Sequence, residues 1–459
     1  MKPFHCLFLC TIFLLLDVST ATDVERRRPL SYQGDPLAVD PGLKIDNPRL
    51  RNGYIALQAW KQSMLSDPHN ITANWIGQDV CDYTGVTCWP TPEFPHELTV
   101  AGIDLNHGDI AGTLPNELGL LYDLSLIHLN SNRFCGTVPQ SFVNMKRLHE
   151  LDLSNNRFAG TFPQVALQLP SLRYLDIRFN EFEGELPRKL FEIDLDAIFV
   201  NNNRFSSALP DNIGKSRVSV IVLANNNFRG CVPAGLGEMG ETLDELILTN
   251  TGISSCFPSE ISKLKNLTVL DLSHNQIVGE LPRAIGEMNR LELLNVAHNM
   301  MSGKIADRIC ELPNLDNFVY DNNFFSEGSA SCPKLPSFAD KTNCLKERPN
   351  QRSALECQRF LARPVNCEGF KCNHSNPEQP PKVVPCPSPQ PPPAQPSPPP
   401  PTKPKPSSPP PQPLSPPPPQ PSSPPPQPSS PPPQAQPPAP NATTPMCPCQ
   451  QPSAPPTKP

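Results

Sequence analysis

The chain has 459 residues, of which 64 are Pro and 16 are Cys, with 18% charged side chains and a formal net charge of −6. Proline at 64/459, or 14%, against about 5% in average usage, excludes a single ordinary globular domain. Residues 380–459 hold 40 of the prolines, four lysines (Lys382, Lys403, Lys405, Lys458) and no acid, so they carry +4 and leave −10 on the rest. This division predicts one folded region of roughly 300–350 residues and a tail that cannot fold around a core.

Residues 1–21 read as a secretory signal: Lys2, an apolar run over Cys6–Leu16, and the small residues Ser19 and Ala21 before the cleavage point. An apolar run of that length cannot cross about 30 Å of hydrocarbon, and no later stretch is long enough to span a membrane. The expected site is therefore extracellular. Removing Cys6 and Cys10 leaves 14 cysteines, an even number suited to disulfides in an oxidising compartment. Sequons at Asn70, Asn266, Asn373 and Asn441 fit the same compartment.

Residues 22–97 form an N-terminal segment and cap. Tyr54, Leu57 and Trp60 share helical spacing, and Trp75 and the pair Cys81 and Cys88 follow, an arrangement that fits a disulfide-closed cap.

Residues 98–332 are dominated by the string Leu-x-Leu-x-x-Asn-x-Phe-x-Gly, centred on Asn132, Asn156, Asn180, Asn203, Asn226, Asn275, Asn299 and Asn323, with Gly108 and Thr251 in the same slot of two degenerate copies. Ten copies at 23–25-residue spacing predict an α/β leucine-rich-repeat solenoid with parallel strands on its concave face. Alternate leucines point inward from a short strand. Each Asn amide satisfies backbone groups where the chain leaves the strand. With strands about 4.8 Å apart, ten copies make an arc roughly 45–50 Å long. Cys310 and Cys332 bracket the last copy. Cys231 and Cys256 each lie five residues past the ladder slot of adjacent copies, which predicts a disulfide between them. Cys135 has no in-phase partner; a buried thiol is favoured over an off-phase or intermolecular pair.

Counting outward strand positions from this register places eleven acids on the concave face: Asp104, Glu150, Asp152, Asp176, Asp196, Asp244, Glu245, Asp271, Glu292, Asp316 and Asp321. Arg173 and Arg178 are the two bases. Phe199, Val222, Ile247 and Val319 form an apolar column beside the acids, as expected of a peptide or protein contact. A concave acidic surface concentrates field and attracts cations, the alternative being an ordinary solvated face. His107, His128, His149, His274 and His298 share this side, mostly at turn positions. No nucleophile elbow, metalloprotease helix or phosphate loop occurs, and no catalytic residue, cofactor, metal or nucleic-acid partner is expected.

Residues 333–386 form a Cys-rich cap and hinge, whose spacings of 13, 10, 5 and 14 residues between cysteines contain no CxxC and argue against zinc. Residues 387–459 contain Ser-Pro runs beginning at Ser397-Pro398, Ser408-Pro409, Ser415-Pro416, Ser423-Pro424 and Ser430-Pro431, which favour polyproline II.

The repeat array, the hinge Gln351-Arg-Ser-Ala-Leu-Glu-Cys357 through Arg363-Pro-Val-Asn-Cys367, the stretches Phe228-Arg-Gly-Cys231-Val-Pro and Asn295-Val-Ala-His-Asn299, and the Ser-Pro runs together resemble the leucine-rich repeat extensins of plant cell walls. The resemblance covers essentially the whole mature chain. It implies a non-enzymatic wall protein whose hydroxylated, arabinosylated prolines hold it to wall polysaccharide. It further implies a repeat domain that binds small basic peptides of the rapid alkalinization factor type and forms a homodimer. One departure stands out: all six Tyr (32, 54, 83, 122, 174 and 320) precede the tail, which argues against tyrosine cross-linking there. The alternatives are a secreted inhibitor of wall-degrading enzymes resembling polygalacturonase inhibitors, which needs neither hinge nor tail, and a purely structural wall glycoprotein.

Overall fold

A computed structural model describes residues 44–370 apart from 347 and 364. The signal segment, Asn373, Asn441 and the Ser-Pro runs lie outside the described residues. A hairpin of β1 (Val86–Thr91) and β2 (Phe94–Asp104) opens a sheet that continues in parallel through β3 (Leu126–His128), β4 (Glu150–Asp152), β5 (Tyr174–Asp176), β6 (Ala197–Phe199) and β7 (Val220–Val222). It runs on through β8 (Glu245–Ile247), β9 (Val269–Asp271), β10 (Leu293–Asn295), β11 (Asn317–Val319) and β12 (Ser337–Ala339). The repeat pattern therefore defines one coil per copy, with β2–β11 as the ten predicted strands.

The composition of the repeat explains each part of a coil. The first and second leucines, such as Leu151 and Leu153, are fully buried between neighbouring coils. The slot asparagine closes the turn after the strand. Asn156 Oδ1 accepts the Phe134 N–H of the preceding coil (2.9 Å), while its Nδ2 donates to the carbonyls of Leu129, Leu153 and Ser154. Asn132, Asn180, Asn203, Asn226, Asn275, Asn299 and Asn323 repeat this pattern. The degenerate slots fit locally: Thr251 Oγ1 donates to the Leu248 carbonyl, and a Cβ at Gly108 would lie 3.0 Å from Asn132 Oδ1. Beneath the ladder, Phe158, Phe182 and Phe205 stack at 6.4 Å between successive ring centroids, within the range of favourable aromatic pairs. On the convex side most coils enter a short 3-10 turn directly after a proline, such as Pro139, Pro187 or Pro282, whose fixed φ suits that position.

The ladder goes one coil further than the ten sequence copies. Asn343 Oδ1 accepts the Phe325 N–H and its amide donates to Tyr320, Asp340 and Lys341 carbonyls, and β12 pairs in parallel with β11. This coil is masked in the sequence because Phe338 and Asp340 stand where two leucines belong and Asn343 follows Asn323 by only 20 residues.

Both ends are closed. Helix α1 (Pro48–Ser63), capped by Asn47, lays Ala56, Leu57 and Trp60 over the first coil, and Trp60 packs on Trp75 and Phe134. Cys81–Cys88 and Cys310–Cys332 are disulfides, as the spacing predicts, and Cys344–Cys357 is a third. Cys135 is buried.

The predicted Cys231–Cys256 bond is not formed. Cys256 is joined to Cys367, 111 residues on, and Cys231 is disulfide-bonded to a cysteine other than Cys256. Equal distance from the ladder slot does not mean equal register here. The Ser254 N–H donates to the Gly230 carbonyl (2.9 Å), which sets Ser254 beside Cys231, and Cys256 falls two residues further along. A second sheet, on the flank after the asparagine turns, runs from Ala111–Gly112 to Asn227–Arg229 and resumes from Val278–Glu280 to Phe324–Glu327; this degenerate coil supplies no strand to it, leaving Cys256 with an isolated bridge to Val278. The hinge is stitched to the solenoid at that interruption.

Three expectations follow. Asn156→Ala leaves the Phe134 N–H and three carbonyls short of partners, and lowers stability by about 2–4 kcal/mol in denaturant unfolding. Asn144→Ala, on the exposed convex surface, changes it by less than about 0.5 kcal/mol. Non-reducing peptide mapping recovers Cys256 joined to Cys367 and no Cys231–Cys256 fragment.

Candidate functional site on the concave face

The strand register aligns outward side chains into rows across the sheet. One row reads Asp104, His128, Asp152, Asp176, Phe199, Val222, Ile247, Asp271, Asn295 and Val319. The row two residues earlier in each strand begins Gly102, Leu126, Glu150, Tyr174 and contains Glu245, Val269 and Leu293. The predicted apolar column Phe199, Val222, Ile247 is therefore contiguous, and Val319 stands apart beyond Asp271 and Asn295.

The acids separate into two groups with different electrostatics. In the N-terminal half Glu150 and Asp176 have cationic partners, whereas Asp104 accepts from the Asn106 N–H and Asp152 from Ser154. Glu150 pairs with His128 (2.8 Å). Asp176 is completely buried and pairs with Arg178 Nε at 3.0 Å; it also accepts from the Arg178 N–H and the Tyr174 hydroxyl. Burial pushes its carboxyl up to about 6, with the neighbouring Asp152 adding to the rise and Arg178 opposing it. Arg178 lies over the Phe199 ring at 5.3 Å, and Tyr174 meets the same ring at 6.1 Å. Arg173 pairs with Asp194, whose carboxyl it holds below the usual range. Both concave bases are thus neutralised by their own neighbours, and Asp176 has no free surface to offer a ligand. The exposed Asp196 borders this group.

In the C-terminal half the charges are left open. Asp244, Glu245, Asp271, Glu292, Asp316 and Asp321 lack a Lys, Arg or His within ion-pairing distance among the described residues. Asp271 accepts from Asn295 Nδ2 (3.0 Å) and the Ser273 N–H, and Asp321 accepts from Asn322. These neutral donors orient the carboxylates without cancelling their charge.

The histidines divide similarly. His107, His274 and His298 sit at turn positions with positive φ, and His274 stacks on His298 at 4.0 Å. His128 belongs to the strand surface. Sequence reasoning missed two members of this face. Tyr174 was hidden in the row before the first inward leucine, and Lys341 is an exposed base contributed by the eleventh coil. Of the sequons within the described residues, Asn70 is exposed, whereas Asn266 is half-buried with its amide donating to the Glu241 carbonyl.

This coil geometry, with its caps, defines a leucine-rich-repeat domain of the solenoid class. Residues 123–182 and 241–301 match the leucine rich repeat model, and 54–89 match the leucine rich repeat N-terminal domain. A leucine-rich repeat extensin-like protein 7 of Arabidopsis thaliana is 62% identical over 80% of this chain and 85% of its own length, and an extensin-like protein 3 is 57% identical over 79% of this chain and 48% of its own. The chain belongs to the leucine-rich repeat extensin-like proteins, a non-enzymatic family of the cell wall. Among solved structures, the Arabidopsis receptor kinase HAESA in complex with the peptide hormone IDA and the co-receptor SERK1 is 26% identical, with a TM-score of 0.52 over 64% of this chain and 54% of that one. A TDR receptor is also 26% identical, with a TM-score of 0.51 over 54% and 44%. No helix among the described residues is long and apolar enough to cross a membrane.

The buried Asp176 makes stability pH-dependent. Its folded-state pKa of about 6 exceeds the ordinary 3.8, so its burial costs nothing below about pH 4 and progressively more as pH rises through 6. The loss amounts to about 3 kcal/mol at pH 7. Unfolding of Asp176→Asn measured from pH 4 to 7 should show a correspondingly flatter decline than the parent chain.

Proposed function

We propose that the C-terminal half of the concave face captures basic secreted peptides of the rapid alkalinization factor type, and that the Pro-rich tail holds the protein in the wall. On this reading the protein couples a peptide signal to wall assembly, cell morphogenesis and expansion. The supporting observation is the separation of charge along one surface. Arg173 and Arg178 are paired with Asp194 and Asp176, while six carboxylates from Asp244 to Asp321 flank Ile247 and Val319 with no Lys, Arg or His within ion-pairing distance among the described residues. A cationic peptide placed there gains charge-assisted hydrogen bonds and buries the apolar residues between them. The fold likeness to an ectodomain solved with a peptide hormone supports the same surface use.

The experiment is calorimetric titration of the secreted chain with a basic rapid alkalinization peptide at two salt concentrations. Tight binding that weakens with salt is the expected result. Reversal of Glu245 and Glu292 to Lys should weaken it by at least about tenfold. Unchanged affinity removes this face from the site.

A further inference from the structure

A second surface, of the reverse charge, lies on the flank formed by the strand Phe324–Glu327. The hinge helix Ala354–Leu361 begins at a capping box, in which Ser353 Oγ accepts the Glu356 N–H and Glu356 accepts the Ser353 N–H. None of its residues is buried. It leans on the flank through one ring pair, Phe360 stacked on Phe324 at 3.6 Å and 7°. Between helix and flank runs an open groove of about 800 Å³.

Its floor is aromatic, made by Phe324, Phe360 and the partly exposed Phe370. Its rim carries Arg352, Arg359 and Arg363. Arg352 is fixed: its Nε donates to the Asn323 carbonyl (2.7 Å) and its guanidinium lies 4.2 Å over the Phe324 ring. Arg359 and Arg363 are exposed and have no carboxylate within ion-pairing distance among the described residues. The single acid of the lining, Glu356, is committed to Ser353.

We infer that this groove binds a carboxylated polysaccharide strand, with uronate groups on the arginines and the faces of the sugar rings on the phenylalanines. Guanidinium forks match planar carboxylates in a bidentate geometry. Aromatic faces supply apolar contact area for the C–H-rich side of a pyranose. An acidic peptide suits the groove less well. The strand Phe324–Glu327 beside it offers no pairing edge at Phe325, whose N–H is taken by Asn343 Oδ1 (3.1 Å) and whose carbonyl accepts the Cys344 N–H (2.9 Å). A polysaccharide needs no backbone ladder. This site is separate from the concave face and from the attachment expected of the tail.

The test uses the full secreted chain without added peptide, titrated with a de-esterified oligogalacturonide. Binding should fall at least about tenfold in Arg359→Gln/Arg363→Gln, two exposed positions that hold nothing in the fold, and should be unchanged in Glu245→Lys/Glu292→Lys. Fully methyl-esterified oligomer should bind at least about tenfold more weakly than the acid form. Equal affinity of the double arginine variant overturns the site. Equal binding of polyglutamate of matched length overturns the polysaccharide as its occupant.

Discussion

A buried amide at one position of nearly every coil is the constraint on which this molecule rests. Leaving a short strand by a tight turn strands an N–H and several carbonyls inside a dry core, where each unpaired group costs about 1–3 kcal/mol. Asn supplies two donors and an acceptor on a side chain short enough to reach them all. Because Asn156 accepts from the coil before it and donates both to that coil and to its own, the ladder is a connection between coils as well as within them. Phe158, Phe182 and Phe205 can stack in line because that connection keeps successive coils in step. No coil could bury its leucines alone, so the polar ladder and the apolar core presuppose each other.

This coupling explains why so much was legible from sequence. Leucines at alternate positions and an Asn three residues later specify strand, turn and facing at once, so outward residues follow by counting. Failures occur where the count loses meaning. At Thr251 the slot residue makes a different set of bonds, the chain advances by two residues relative to its neighbour, and Cys256 leaves the side of Cys231. At Asn343 the amide keeps its role while the leucines are replaced, and hydrophobic pattern alone loses the coil. Spacing measures position along the chain; the hydrogen-bond ladder measures position in space, and they separate where a repeat degenerates.

The candidate site was legible in composition but not in electrostatic state. Eleven acids against two bases is what counting in register yields, and it leaves out Lys341 of the eleventh coil. It does not show that Asp176 is buried beneath Arg178, or that Arg173 is occupied by Asp194, a residue outside the counted rows. Those pairings depend on how long side chains bend across neighbouring strands, and no register rule encodes that. Their effect is to balance part of the charge in the earlier coils, while in the later coils Asn295, Asn322 and a backbone N–H orient carboxylates without neutralising them.

The same logic bears on the hinge. A solenoid exposes two long surfaces, and a helix laid against the second sheet changes the character of one without disturbing the other. The interrupted sheet beside Cys256 is where a returning segment can be fastened, and the bond to Cys367 fastens it there. What is held in place by this bond is a strip bearing Arg359 and Arg363 close to Phe360, on a helix too exposed to be stabilised by its own burial. The disulfides around it, Cys344–Cys357 on one side and Cys256–Cys367 on the other, supply the constraint that a hydrophobic face supplies elsewhere. The degenerate repeat, which is a defect in the periodic pattern, thus provides the attachment point for a cationic strip on an acidic domain.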